Sequence, residues 1–271
     1  MTMARVSCVL GFAVCALTVV AAQPAATHHC VVVDEGAGPR RLAGTAAECA
    51  SRLSPASTYK IPHALIGLET GVITETTVAK WDGVPHPQQP RWNQDHTVLS
   101  AMKPSVVWFF QWMAPKIGAA RAHEWLQRFA YGNTDTGGDV QQYWLNGRLR
   151  ISPDEQLAFV RKFYAGALPV SREHSDRLQS AIEQEPGTVE NARGVHTLAV
   201  RWRPGMLLNS KTGATTIESG ESVSWLVGRL TVDGRTIVFA SAVWRNGEVD
   251  SLDAARLAFT TMTSEKIIDG R

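Results

Sequence analysis

The chain has 271 residues, 44% of them hydrophobic, which suits a globular protein with a substantial core and excludes a disordered one. Its 27 Lys and Arg nearly balance 25 Asp and Glu, and a formal net charge of +2 gives no electrostatic case for nucleic acid or an anionic membrane as partner. The composition fits a small or neutral partner; it leaves the oligomeric state open.

The chain opens on a leader-like segment. Arg5 precedes a charge-free apolar run over residues 6–20 and then small residues, the three-part layout of a secretory signal peptide. Val20 and Ala22 place the expected cleavage after Ala22, giving a signal over residues 1–22 and a mature chain of a single domain over 23–271. The run is shorter than the roughly 20 apolar residues of a spanning helix, so export to the periplasm without stable membrane association is expected. Cys8 and Cys15 would leave with the signal. Cys30 and Cys49 remain, and in an oxidising compartment they are expected to pair; two free thiols are the alternative.

The mature part begins with β-like runs, "CVVVD" and "RRLAG", separated by the turn "DEGAGP". "LSPASTYKIPHALIGLETG" then reads as a helix on which Ser57 and Lys60, three apart, share a face. A lysine buried there must be paired, neutralised or chemically altered. Pro62 removes a donor inside this helix and predicts a distorted first turn. Ser100 and Lys103 repeat the S-x-x-K spacing, but Pro104 interrupts any helix joining them.

The middle is helical in character. "SPDEQLAFVRKFYAGAL" has Ser152 as N-cap, Pro153 in the first turn, and Asp154 and Glu155 complementing the dipole. Leu157, Val160, Phe163 and Tyr164 form its apolar face. "SREHSDRLQSAIEQEPG" predicts another helix, stopped at Pro186-Gly187. Strand patterns return in "MLLNSKT", "SVSWLVGRLTV" and "RTIVFASAVW", the last two joined by the hairpin signal Asp233-Gly234. "SLDAARLAFTTMTSEKIIDG" closes as a helix. The fold class expected is α+β: an antiparallel sheet from the two terminal parts, about 28–70 and 195–271, flanked by helices, with a mostly helical part at about 71–194.

Several short motifs carry chemistry. Lys211-Thr212-Gly213 ends a β-like run, where the glycine admits a ligand and the lysine and hydroxyl suit a carboxylate. The stretch "GMLLNSKT" nearly matches a phosphate loop, yet Ser210 replaces its second glycine and a strand, not a helix, follows. Ser105-Val106-Val107 sets a hydroxyl beside the apolar "VVWFF", and Tyr131-Gly132-Asn133 reads as a turn. The eight histidines form no H-E-x-x-H spacing, and His123-Glu124 lacks the second histidine, so no metal site is expected.

Taken in order, Pro55 to Lys60, Ser105 to Val107, Tyr131 to Asn133, Trp144-Leu145 and Lys211 to Gly213 resemble the signature of the class D (oxacillinase-type) serine β-lactamases. The resemblance runs from about Cys30 to the C-terminus. It departs at Tyr59, where phenylalanine is usual, and around "TVENARGVHTLAVRWRPG".

That resemblance implies the β-lactamase and penicillin-binding-protein fold, a β-lactam as substrate, and an antibiotic-resistance role. It implies Ser57 as nucleophile, Lys60 carboxylated by carbon dioxide as general base, and no other cofactor. Ser105 would relay a proton with help from Lys211. The N–H groups of Ser57 and Ala214 would form the oxyanion hole beside Gly213, while Thr212 and Arg256 would take the substrate carboxylate. Val107, Phe110, Trp144 and Leu145 would enclose the carbamate, and Tyr131 and Asn133 would position the site. A penicillin-binding sensor acylated at Ser57 without turnover, or a transpeptidase, shares part of the signature.

Overall fold

The valine-, isoleucine- and threonine-rich runs at the two ends meet in one antiparallel sheet. The computed structural model describes residues 26–268, so the expected leader at 1–22 lies outside the described residues. Five strands pair in the order β2-β1-β7-β6-β5: β1 His28–Asp34, β2 Pro39–Ala43, β5 Leu207–Thr216, β6 Glu221–Val232 and β7 Arg235–Asn246. The β6–β7 hairpin turns at Asp233 and Gly234, both at positive φ of 50° and 72°, which explains the Asp-Gly pair there. A separate two-stranded hairpin comprises β3 Thr188–Asn191 and β4 Gly194–Thr197.

Alternation along the strands feeds two cores. Val32, Trp225, Val227, Ala240 and Ala242 face a cluster shared with helices α2 (Lys60–Glu69), α3 (Val107–Ile117), α4 (Ala119–Phe129) and α5 (Pro153–Ala165). Val31, Val33, Leu226 and Phe239 face the other way, onto Ala258, Phe259 and Met262 of α7 (Asp253–Ser264). Both faces of the sheet are therefore covered, in three layers. The Cys30–Cys49 disulfide ties β1 to the short α1, Ala46–Ala50.

Local chemistry sets the helix boundaries. Ser152 caps α5 in a reciprocal capping box with Glu155, whose side chain accepts from the Ser152 N–H at 2.9 Å. Helix α6 spans Arg172–Ala181 and ends before the expected stop at Pro186-Gly187. The chain leaves it early because Gln184 N–H donates to Leu208 O at 2.8 Å and Ser210 N–H to Ile182 O at 3.0 Å, drawing residues 182–184 onto the β5 edge. The distortion expected near Pro62 is a 3₁₀ turn, Ala56–Tyr59, running directly into α2. Pro62 then sits in the first turn of α2, where a missing N–H leaves no bond broken.

Candidate active site

The 3₁₀ turn ahead of α2 holds Ser57 at the surface of the core and Lys60 inside it. Ser57 is 7% exposed and Lys60 fully buried, with Lys60 Nζ 2.8 Å from Ser57 Oγ. Burial pushes the Lys60 ammonium well below its ordinary pKa, and the nearby charge of Lys211 adds to that. Burial thus favours the neutral amine, which lies beside the Ser57 hydroxyl and 5.3 Å from the centre of the Phe110 ring.

A second lysine–serine pair faces the first. Lys211 Nζ, on β5, donates to Ser105 Oγ at 2.9 Å and to Thr212 O at 2.9 Å. Its pKa falls to about 7, chiefly through burial, with the carboxylate of Glu190 opposing. Ser105 lies just before α3 with φ of 59°, and Ala56, just before Ser57, has φ of 47°. Residues at positive φ without a glycine's freedom concentrate at functional sites, where the surrounding fold holds them.

Strand β5 is the sheet edge, so half its N–H groups have no ladder partner within the sheet. The Ser210 N–H leaves that edge to reach Ile182 O, and the two-residue pleat sends the Thr212 and Ala214 N–H groups off the same side. Gly213 lets this edge close on the nucleophile turn: an added Cβ would stand 3.1 Å from Thr58 N and 3.2 Å from Pro55 O. The lysine-threonine-glycine spacing thus has a steric reason in this molecule.

These parts line one cleft of about 180 Å³, with Ser57, Ser105, Thr212, Gly213 and Ala214 on its walls. Behind Ser57, Trp144 is fully buried, and the carbonyls of Trp144 and Leu145 accept from Ser54 Oγ at 3.1 and 2.6 Å. The indole Nε1 has no hydrogen-bond partner among the described residues. The Trp144 ring packs on Tyr59 and His63, which flank Lys60 in the sequence, with ring centres 5.8 and 4.9 Å apart. Of the residues expected to enclose Lys60, Phe110 is fully buried while Val107 and Leu145 are half-buried.

Tyr131 and Asn133 stand off the cleft. Tyr131 packs on Tyr59 and Phe159, while Asn133 accepts from Arg150 N at 2.9 Å and donates to Arg148 O at 2.9 Å. They fix residues 148–151, which bridge back to Leu53 ahead of the nucleophile turn. Arg256, expected to take the substrate carboxylate, does not line this cleft. Its guanidinium is held by Asp250 at 3.0 Å and Asp253 at 3.1 Å, and it lines a different cavity, beside Leu252 and Phe259.

The cleft also contains residues the sequence reading passed over: Gln89, Asn191, Ala192, Arg193 and Ser251. Arg193 comes from the β3–β4 turn, in the stretch where the sequence departs from the class D pattern. That hairpin is docked by the Arg91–Glu190 ion pair at 2.6 Å and by Asn191 Nδ2 donating to Ser251 Oγ at 3.2 Å. Among the described residues, no group of three or more acidic, histidine or cysteine side chains could hold a metal, and no helix is long and apolar enough to cross a membrane.

The penicillin binding protein transpeptidase domain family matches residues 28–263 of the chain. Beta-lactamase OXA-10 of Pseudomonas aeruginosa is 36% identical over 80% of this chain and 76% of its own length. The solved class D beta-lactamase BAT-2 superposes with a TM-score of 0.73 at 28% identity, covering 90% of this chain and 93% of that one. The regulatory protein BlaR1 of Bacillus licheniformis is 31% identical over 81% of this chain but only 34% of its own length. The fold and the site define a penicillin-binding serine acyl-transfer protein. Within that class, the chain belongs to the class D β-lactamases, enzymes that hydrolyse β-lactams.

Proposed function

We propose that this β-lactamase is an exported resistance enzyme that forms an acyl-enzyme at Ser57 and uses N-carboxylated Lys60 as its base. The observation that carries the reading is the fully buried Lys60 amine, 2.8 Å from Ser57 Oγ, in a pocket where Trp144 Nε1 lacks an acceptor. Carbon dioxide adds only to a neutral amine, the form that burial favours; one amine proton leaves as the N–C bond forms. When present, the carbamate supplies an anionic general base for acylation and deacylation.

The chain's own groups supply the rest. Ser57 Oγ is the nucleophile, and the Ser57 and Ala214 N–H groups polarise the lactam carbonyl. Ser105 hands a proton to the departing nitrogen, and Lys211, 2.9 Å away, replenishes it. Thr212 and the cleft-lining Arg193 face the substrate carboxylate, the role first expected of Arg256. The apolar leader pattern supports export.

Steady-state turnover of a chromogenic cephalosporin tests this. Turnover should fall in acidic or carbon-dioxide-depleted buffer, because protonating the Lys60 amine removes the form that binds carbon dioxide, and should return with bicarbonate. Lys60→Ala should abolish it. Turnover indifferent to bicarbonate would refute the carbamate; a single stoichiometric burst with a stable adduct would favour a sensor, as the similarity to BlaR1 suggests.

A further inference from the structure

His63 follows Lys60 by three residues on α2, so the two side chains leave the same helix face. Its ring is fully buried, and neither ring nitrogen has a hydrogen-bond partner among the described residues. It packs edge-on against Trp144 with ring centres 4.9 Å apart, and lies 5.6 Å from Phe110 and 5.0 Å from Tyr59. Burial is the main cause that lowers its pKa, to about 3, and in either neutral tautomer the ring carries one N–H.

An apolar residue would fill this space without penalty, whereas a buried donor lacking an acceptor costs on the order of 1–3 kcal/mol. Trp144, whose ring packs on that of His63, has its Nε1 in the same condition. Two unpartnered N–H donors on rings that pack together, one of them a helical turn from Lys60, share a single explanation: an anion that accepts from both.

We propose that His63 is a positioning residue that donates one ring N–H to the carboxylate group of N-carboxylated Lys60, sharing that anion with Trp144. The assignment rests on the carbamate reading of Lys60 and deepens it. Its consequence is tighter retention of the modification: a hydrogen bond to a charged group is worth about tenfold or more in the equilibrium for carbon dioxide uptake.

The test is ¹³C NMR of the whole protein titrated with ¹³C-bicarbonate, reading the carbamate signal rather than activity, for wild type, His63→Phe and His63→Asn. Phenylalanine keeps the ring volume and dries the pocket further, which by itself favours the neutral amine. His63→Phe should nevertheless raise the bicarbonate needed for half-occupancy about tenfold, and His63→Asn, which keeps an N–H donor, should recover part of the loss. In ¹⁵N-histidine-labelled wild type, the His63 ring signals should shift in step with the carbamate signal, a readout independent of how the variants fold. Unmoved ring signals, or equal half-occupancy in folded His63→Phe, would overturn the role of His63 alone. No carbamate signal in wild type would overturn the reading beneath it.

Discussion

Two arginines separate position in the sequence from position in the site. Arg256 sits where the class D pattern places a carboxylate ligand, yet it is shared between Asp250 and Asp253. Those bonds hold its guanidinium even further into the charged range, so releasing it to a substrate means breaking two ion pairs. Arg193 reaches the cleft from the β3–β4 turn. Arg193→Ala should raise KM for penicillins about tenfold with kcat nearly unchanged, the mark of lost ground-state binding, and Arg256→Ala should change both little. The reverse ranking in steady-state kinetics would restore Arg256 to the site.

At the scale of elements, the active parts are joined by close backbone contacts. The edge strand β5 can lie close against the turn that carries Ser57 only because Gly213 has no side chain. Gly213→Ala would force the strand and the Ser57 turn apart by a few tenths of an ångström, since two of the three obstructing atoms, Thr58 N and Pro55 O, are backbone and the third is Thr58 Cγ2. A misplacement of ~1 Å costs roughly 10²-fold, so a loss of about tenfold in kcat/KM is expected with little change in thermal stability. An unchanged kcat/KM would show that the contact does not set the catalytic geometry. What was legible in the sequence follows the same division. The capped start of α5, the Asp-Gly hairpin and the S-x-x-K turn are local signals, and each appears where the sequence predicts it. The early end of α6 and the docking of the β3–β4 hairpin depend on partners far along the chain, Leu208 and Arg91 among them, which no local pattern announces. His63 escaped notice because its spacing from Lys60 matters only once Trp144 is known to face them both.

Over the whole molecule, the site lies at a seam. Ser57 lies on the 3₁₀ turn ahead of α2, Lys60 starts that helix, Ser105 precedes α3, and Lys211 belongs to the sheet, so the cleft keeps its shape only while the sheet and the helices around it stay docked. The disulfide acts away from this seam, joining β1 and α1 across a sequence separation of 19. In the loop-entropy description, a bridge closing a loop of that size stabilises the fold by about 3 kcal/mol through the unfolded chain. For a protein of this size that corresponds to roughly 6–12 °C in Tm. Cys30→Ser with Cys49→Ser should therefore lower Tm by that amount, and a reducing agent should do the same to the unsubstituted protein, while kcat/KM at moderate temperature stays the same. Both cysteines are buried in the core that also holds Tyr59 and Trp144, so the alternative is that the bridge sets the packing behind Ser57. A fall in kcat/KM for the folded double variant would establish that coupling and place the disulfide among the determinants of the site.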